Sequence, residues 1–520
     1  MNATNLVDRL RDHVQSQPDA TVYASDASAV SFKQLDERAN QLAHALLANG
    51  IVRGSRVAIL SRGQLHSAVL ILATMKIGAC CVPVNWRLSA QEIRYIVEDA
   101  TASILVCDSE FLPQVESATI DLSTRLLLTD GATDTAAQID AWSADFDTTL
   151  APPSIDQDDE ALHMYSSGTT GRPKGVVLTH RGLMSSCEAT TSAWQLDHAS
   201  VVGHVLPIFH IAGLLMLIFP IYTGCRCVNF REFQPQQLLV SLSEWKISHL
   251  LLVPAMIGFL LAQRPERTLD FSHLKLIAYS GSPITESVLR AGMAMFGCGF
   301  SQIYGLTEVC GTVTNLTPED HLAGDHLLRS AGKPMRHIEL RIVDPGTLKD
   351  VPNGQVGEIW IRSRRTFKTY WRNPTATADA YPEGREATGG WFRSGDAGYS
   401  VDGYLYVSDR IKDMVVTGGE NVYPAEVENT LMKHPAVADC AIIGVPDATW
   451  GESVKACVVL RPDAGANAQN LIDFMRSEIA HFKCPRTVDF MPALPRTESG
   501  KLLKRTLREP YWREQERAVN

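Results

Sequence analysis

The sequence contains no C-x-x-C pair, no internal repeat and no low-complexity tract. Its 11 cysteines fall in no framework: Cys80 and Cys81 are adjacent, and Cys225 and Cys227 stand one residue apart. Neither zinc-ligand spacing nor a disulfide scaffold is present, and reduced thiols in a cytoplasmic compartment are expected. Basic charge is also short, with 48 Lys and Arg against 58 Asp and Glu giving a net charge of −10. That balance excludes the basic surface of a nucleic-acid binder, so any phosphate ligand must be held by a local positive site. Long apolar runs are missing too. The greasiest stretch, LPIFHIAGLLMLIFPIY from Leu206 to Tyr222, contains Pro207, His210 and Pro220. It is shorter than the roughly 20 residues of a membrane span, so a buried helix is expected there and no membrane span. The first residues, MNATNLVDRLRDHVQSQPDA, lack the apolar core of a secretory signal.

What is present is a chain of 520 residues with 45% hydrophobic and 20% charged residues, an ordinary globular composition too long for one core. From residue 30 to about 130 helical and strand patterns alternate. Leu35, Ala39, Leu42 and Leu46 share one helical face, Ser31 with Gln34 forms a capping box, and Gly50 is a C-terminal stop. RVAIL, CCVPV and SILVCD are apolar strand patterns separated by helical ones, with a second capping box at Ser89 and Glu92. This alternation predicts a parallel sheet covered on both faces. The acidic, Pro-containing stretch from about 140 to 160 reads as a surface connection. From about 330 to 408, IELRIVD, GEIWIRS and GYLYVSD are short strands between turn residues, predicting an antiparallel or barrel-like unit. Beyond Arg410 a helix near 425–433, two strands, a helix near 471–479 and a basic tail make a smaller mixed unit.

The sharpest local signal is YSSGTTGRPKGVVLTH, Tyr165 to His180. Its hydroxyls and glycines let backbone pass close to an anion and donate to phosphate oxygens, and Lys174 adds a point charge. The spacing is not that of a G-x4-G-K-[ST] loop. A Ser/Gly linker shares this composition, but the lysine and the apolar VVL run that follow favour a phosphate loop.

This loop resembles that of the acyl-adenylate-forming superfamily: acyl-CoA synthetases, 4-coumarate–CoA ligases, beetle luciferases and peptide-synthetase adenylation domains. The resemblance continues in family order through LPIFHIAG (Leu206–Gly213), SGSPI (Ser280–Ile284), YGLTE (Tyr304–Glu308), FRSGD (Phe392–Asp396), DRIKDMVVTGGENVYPAEVE (Asp409–Glu428) and PRTESGKLLKR (Pro495–Arg505). It implies an α/β fold. A large N-terminal domain, 1–409, would hold two mixed sheets with helices and a small β-barrel-like subdomain at about 330–408. A small mobile α+β domain, 410–520, would turn about a hinge at Lys412.

The resemblance also implies a division of labour. Ser166, Ser167, Gly168, Thr169, Thr170 and Lys174 would cradle the phosphates of ATP, with Ser280, Gly281, Ser282, Pro283, Tyr304 and Gly305 around the nucleotide. Glu308 and Thr170 would hold Mg²⁺, and Thr307 would reach the α-phosphate. Asp396 would bind the ribose hydroxyls, and Arg410 would lie near the ribose and phosphate. His210 would line the acyl site near the carboxylate. Lys501 would sit between carboxylate and α-phosphate, where a cation offsets the repulsion of two anions. For the acceptor, CoA is implied by Gly418 and Gly419, which would pass a narrow pantetheine arm, and by Trp450 and Phe482. Cys484 replaces an arginine found in some aryl-CoA ligases, leaving Lys483 and Arg486 nearby. An amine or a carrier-protein thiol is the alternative acceptor. The small or apolar Ala212, Gly213, Val253, Ala255, Ser280, Gly281, Gly305 and Cys310 suit an apolar fatty, alicyclic or aromatic acid. Ala212 stands where plant 4-coumarate–CoA ligases have tyrosine. The sequence sets no oligomeric state.

Overall fold

The computed structural model describes residues 3–118, 120, 125–133, 137–151, 154–166, 173–263, 268–282, 284–386, 389–410, 413–417, 420–447, 449–462, 464–496 and 502–513. By packing, these residues form two compact units.

The first unit, spanning most of residues 1–392, is built on two large sheets. An eight-stranded sheet runs in the order Thr369–Tyr370, Lys174–Thr179, Glu160–Ser166, Cys80–Pro83, Arg56–Leu60, Ala102–Cys107, Arg125–Leu128 and Ala137–Gln138. Arg56–Leu60 pairs in parallel on both sides and is buried at every residue, as a strand covered on both faces must be. RVAIL is therefore apolar after its first residue, and the buried Arg56 is paired with Glu160 at 2.7 Å. Both expected capping boxes form, at Ser31–Gln34 and Ser89–Glu92, and Gly50 takes φ +81 just past the helix Phe32–Ala48. The 140–160 connection begins with a short helix, Ile139–Ser143, and is pinned across the helix Phe32–Ala48: Asn40 donates to the Thr148 carbonyl and Gln41 to that of Ala144, each at 2.8 Å.

The second sheet has nine strands in the order Lys333–Pro334, Gly311–Leu316, Gly299–Leu306, Leu276–Tyr279, His249–Leu252, Val201–His204, Arg226–Asn229, Thr21–Ala24 and Ala29–Ser31. The apolar stretch around 206–222 supplies the helix Ile211–Thr223, buried from Gly213 to Ile221 and closed by Gly224 at φ +81. Among the described residues no helix is long and apolar enough to cross a membrane.

Several histidines lie inside this unit. His163 is fully buried, and burial pushes its pKa down to about 3; burial likewise brings His180 and His204 to about 4. Each has a folded pKa below its unfolded value of 6.5. Between the two values the unfolded chain holds a proton that the folded chain refuses, so stability falls as pH drops through that window. We expect the melting temperature to be insensitive to these groups above pH about 6.5. Below it, the loss is about 1.4 kcal/mol per pH unit for each such histidine. A His163→Asn variant followed by thermal denaturation from pH 7 to 4 should show a shallower fall; an unchanged slope would absolve His163.

The second unit comprises residues 329–331, 340–361 and 393 onward. It contains a four-stranded sheet, Glu339–Val343, Gly357–Arg362, Phe392–Val401 and Tyr404–Arg410. The sequence pattern missed Phe392–Val401, because FRSGDAGYSV alternates only weakly. A five-stranded sheet is built on the hairpin Val437–Asp447 and Gly451–Leu460. Its period-two alternation fills two cores. Cys440, Ile442, Val454 and Ala456 pack with Leu431, Leu471 and Met475, whereas Ala441, Ile443 and Cys457 face Leu507. Part of the expected basic tail is therefore a helix, Lys504–Trp512, which buries Leu507. Its charge hid one apolar anchor.

Candidate active site

Two hairpins of the first unit bring the phosphate-loop ends to the YGLTE motif. Strands Glu160–Ser166 and Lys174–Thr179 are antiparallel with Ser166 opposite Lys174, so both ends of the intervening loop are fixed together. Strands Gly299–Leu306 and Gly311–Leu316 are antiparallel, with Leu306 opposite Gly311 and the turn Thr307–Cys310 at their tip. Gly305 cannot be larger: a Cβ there would lie 2.2 Å from the Gly311 carbonyl oxygen.

Ser166 Oγ donates to Glu308 Oε1 at 3.0 Å, joining the two motifs directly. Tyr370 donates its hydroxyl to the same oxygen at 3.2 Å, and the Phe367 N–H donates to the Glu308 carbonyl at 2.7 Å. Lys174 Nζ sits 5.1 Å from the centre of the Tyr370 ring. Burial, and then Glu308, raise the Tyr370 pKa, so its proton stays in place to donate. Tyr370 went unnoticed in the sequence because it lies outside every quoted motif. What brings it there is the pairing of the strand Thr369–Tyr370 beside Lys174–Thr179, a long-range contact that no local sequence signal shows.

His210 precedes the helix Ile211–Thr223 as its N-cap residue and is exposed, its ring 4.6 Å from that of Phe209. Ser280 Oγ donates to the Ile303 carbonyl at 2.8 Å, and Gly281 has φ +90, a conformation natural to glycine. Beside Ser280 and Gly305 opens a cavity of about 50 Å³, lined also by Ala212, Leu215, Trp194 and Phe219. Of the small residues expected to shape it, Ala212, Ser280 and Gly305 are in the wall. Cys310 is fully buried elsewhere, and Gly213 is spent on a close approach to Pro207, whose carbonyl oxygen would meet a Cβ at 2.1 Å.

In the second unit Asp396 is buried on the strand Phe392–Val401, and its backbone is in register with Arg410 on the neighbouring strand. Glu358, which sequence reasoning passed over, organises this turn: it accepts from Arg393 Nε at 2.9 Å and from the Gly395 N–H at 3.2 Å. Trp450 is 44% exposed and Phe482 43%, so neither is a core ring. The Arg486 guanidinium lies 5.1 Å over Trp450, while Lys483 pairs with Glu426 at 2.7 Å. Cys484 is a buried core residue, which accounts for a thiol there. Ser167, Gly168, Thr169, Thr170, Pro283, Lys412, Gly418, Gly419, Lys501 and the Arg410 side chain lie outside the described residues.

Among the described residues no group of three or more His, Cys, Asp or Glu side chains could hold a metal. Glu308 and the Ser166 hydroxyl together offer one carboxylate and one hydroxyl oxygen. Such a donor set fits Mg²⁺, which commonly takes one or two carboxylates and completes its shell with water and substrate phosphates.

Residues 10–371 match the AMP-binding enzyme family, and residues 426–501 its C-terminal domain. The chain belongs to the AMP-binding enzymes. Among relatives of this AMP-binding enzyme is the fatty acid–[acyl-carrier-protein] ligase ScoC of Streptomyces coeruleorubidus, 35% identical over 99% of this chain and 98% of its own. The long-chain-fatty-acid–CoA ligase FadD13 of Mycobacterium tuberculosis is 33% identical over 97% of each chain. Among solved structures, ATP-bound MatB from Rhodopseudomonas palustris superposes with a TM-score of 0.88 at 30% identity, covering 98% of this chain and 99% of its own.

Proposed function

We propose that this AMP-binding enzyme activates a carboxylic acid with ATP and then passes the acyl group to CoA. A carboxylate oxygen attacks the α-phosphorus, and the bond from that phosphorus to the departing pyrophosphate breaks, leaving an acyl-adenylate. The CoA thiol then attacks the acyl carbon, its proton leaves to solvent, and AMP departs with the former carboxylate oxygen. The observation that carries this reading is the Ser166–Glu308 hydrogen bond, which joins the phosphate-loop end to the YGLTE turn beside an apolar cavity.

Glu308 with Ser166, and Thr170 from the loop, would hold Mg²⁺, whose charge offsets that of the phosphates. Lys174 and the loop hydroxyls bind phosphate oxygens, Thr307 donates to the α-phosphate, and Asp396 takes the ribose hydroxyls. His210 stands at the carboxylate end of the acyl site. Lys501 lies between carboxylate and α-phosphate during adenylation. The segment from 410 onward then turns about Lys412, withdrawing Lys501 and presenting Gly418, Gly419 and Trp450 to the pantetheine arm. All 11 cysteines are free, which agrees with a cytoplasmic place for the enzyme.

The similarity to ScoC favours one second reading, in which a carrier-protein thiol replaces CoA. Pyrophosphate release across a panel of carboxylic acids, with mass detection of products, tests both. Acid-dependent release with an acyl-CoA product is the expected result. Release without thioester, or a thioester formed only with carrier protein, overturns the CoA reading; no release with any acid overturns ligase activity itself.

A further inference from the structure

The cavity is bounded on one side by helices and on the other by the nine-stranded sheet. The helix Ile211–Thr223 presents Ile211, Ala212, Leu215 and Phe219, positions that share one helical face. The helix His180–Ala193 and its C-cap contribute Thr190 and Trp194, four residues apart. Leu251, Ile303, Gly311 and Thr312 come from three strands of the sheet. At a rise of 1.5 Å per residue, Phe219 lies about 13 Å along the helix from His210, and Leu215 about 7 Å.

Away from His210 along the helix two rings meet in the wall. Trp194 and Phe219 meet edge to face at 5.8 Å and 79°, both buried. Both are held by packing, Trp194 at 4% and Phe219 at 1% exposed. The cavity holds about 50 Å³, on a measure where one water needs roughly 10–15 Å³, so only a few water-sized groups fit. Its hydroxyls are already spoken for, whereas the buried Trp194 indole N–H has no partner among the described residues. Thr190 and Thr312 share a hydrogen bond at 2.8 Å, and Arg365 behind them donates to the Thr312 carbonyl at 2.8 Å.

We propose that Trp194 and Phe219 are specificity-determining residues: a fixed aromatic floor that restricts the acyl group to a compact apolar one, a short chain or a single ring. This rests on the reading that the cavity receives the acid. It departs from what the name of FadD13 would suggest, because an extended long chain needs a channel through the floor, and closely packed rings move only at the cost of their contacts.

The test is a graded series of butyrate, octanoate, benzoate and hexadecanoate. It is read as kcat/KM for pyrophosphate release and, independently, by calorimetric binding with Mg²⁺ and a non-cleavable ATP analogue. Wild-type protein should lose about tenfold or more between octanoate and hexadecanoate. Phe219→Ala should move the limit towards longer chains. That change leaves a void in a packed layer, so Phe219→Leu is run as a milder opening and Leu215→Phe, one turn nearer the mouth, as a shortening. Opposite shifts in the Phe219 and Leu215 variants establish the floor. Wild-type use of hexadecanoate as readily as octanoate, or one profile for every variant, overturns it. If no acid is adenylated but binding keeps the length limit, the ligase reading falls and the floor stands; binding indifferent to length removes the floor.

Discussion

Replacing Lys501 with alanine is expected to lower adenylation by about 10²–10³, while thioester formation from a supplied acyl-adenylate changes by no more than a few-fold. The argument is electrostatic. Adenylation must bring a carboxylate against a triphosphate, two anions that repel, and the repulsion grows as charge develops around phosphorus. An ammonium between them is attracted to both and most strongly at closest approach, so its loss raises the barrier more than it weakens ground-state binding. In thioester formation the phosphate and acyl carbon are already bonded and the repulsion is gone. Two assays separate these steps: acid-dependent pyrophosphate exchange, and conversion of synthetic acyl-adenylate with CoA. Equal loss in both would show that Lys501 stays at the reaction centre throughout, and the rotation about Lys412 would have no support. An exposed cation of the C-terminal segment, Lys433, serves as a control, since Lys433→Ala removes a charge that pairs, among the described residues, with Glu478 at 3.8 Å.

Much of this was legible because local signals and tertiary structure agree. The capping boxes at Ser31 and Ser89 start helices because their side chains satisfy orphan N–H groups regardless of what packs outside. Val57–Leu60 is wholly apolar because a doubly covered strand has no polar face to show, and Arg56 at its start is buried against Glu160. What the sequence concealed is long-range. The cavity wall draws on two helices and three strands, and nothing at residue 194 states that its ring meets that of residue 219. Small residues were expected to line the cavity, yet Gly213 and Cys310 serve close packing instead. The last helix was hidden by its charge: it buries only Leu507, with Tyr511 packed beside it, Trp512 Nε1 donating to the Gly444 carbonyl at 3.0 Å and Lys504 pairing with Glu428 at 3.0 Å. Glu358 and Tyr370 belong to the same class. Each holds a motif residue in place from a segment distant in sequence, so no motif contains them.

Tyr370 leads to the second large effect. Glu308→Gln is expected to lower adenylation by about 10², the scale of losing one preorganised charged group at a phosphoryl-transfer site. The amide keeps the shape and an acceptor for Ser166 and Tyr370, but it removes the negative charge that a hard dication prefers, so the Mg²⁺ concentration for half-maximal rate should rise as well. Tyr370→Phe asks a finer question. It leaves the carboxylate and removes only the hydroxyl that fixes Oε1 at 3.2 Å, a hydrogen bond to a charged group worth about 1.5–3 kcal/mol. A loss of at least about tenfold is expected. A merely structural tyrosine would lower the fraction of folded enzyme and leave the Mg²⁺ dependence of the remainder untouched. A positioning tyrosine shifts that dependence in the same direction as Glu308→Gln, by less. In the double variant the two losses should fall short of additive, because without the carboxylate the hydroxyl has little left to hold. Full additivity would mean that Tyr370 and Glu308 act separately, and an unaltered Mg²⁺ dependence in Glu308→Gln would remove Glu308 from the metal site.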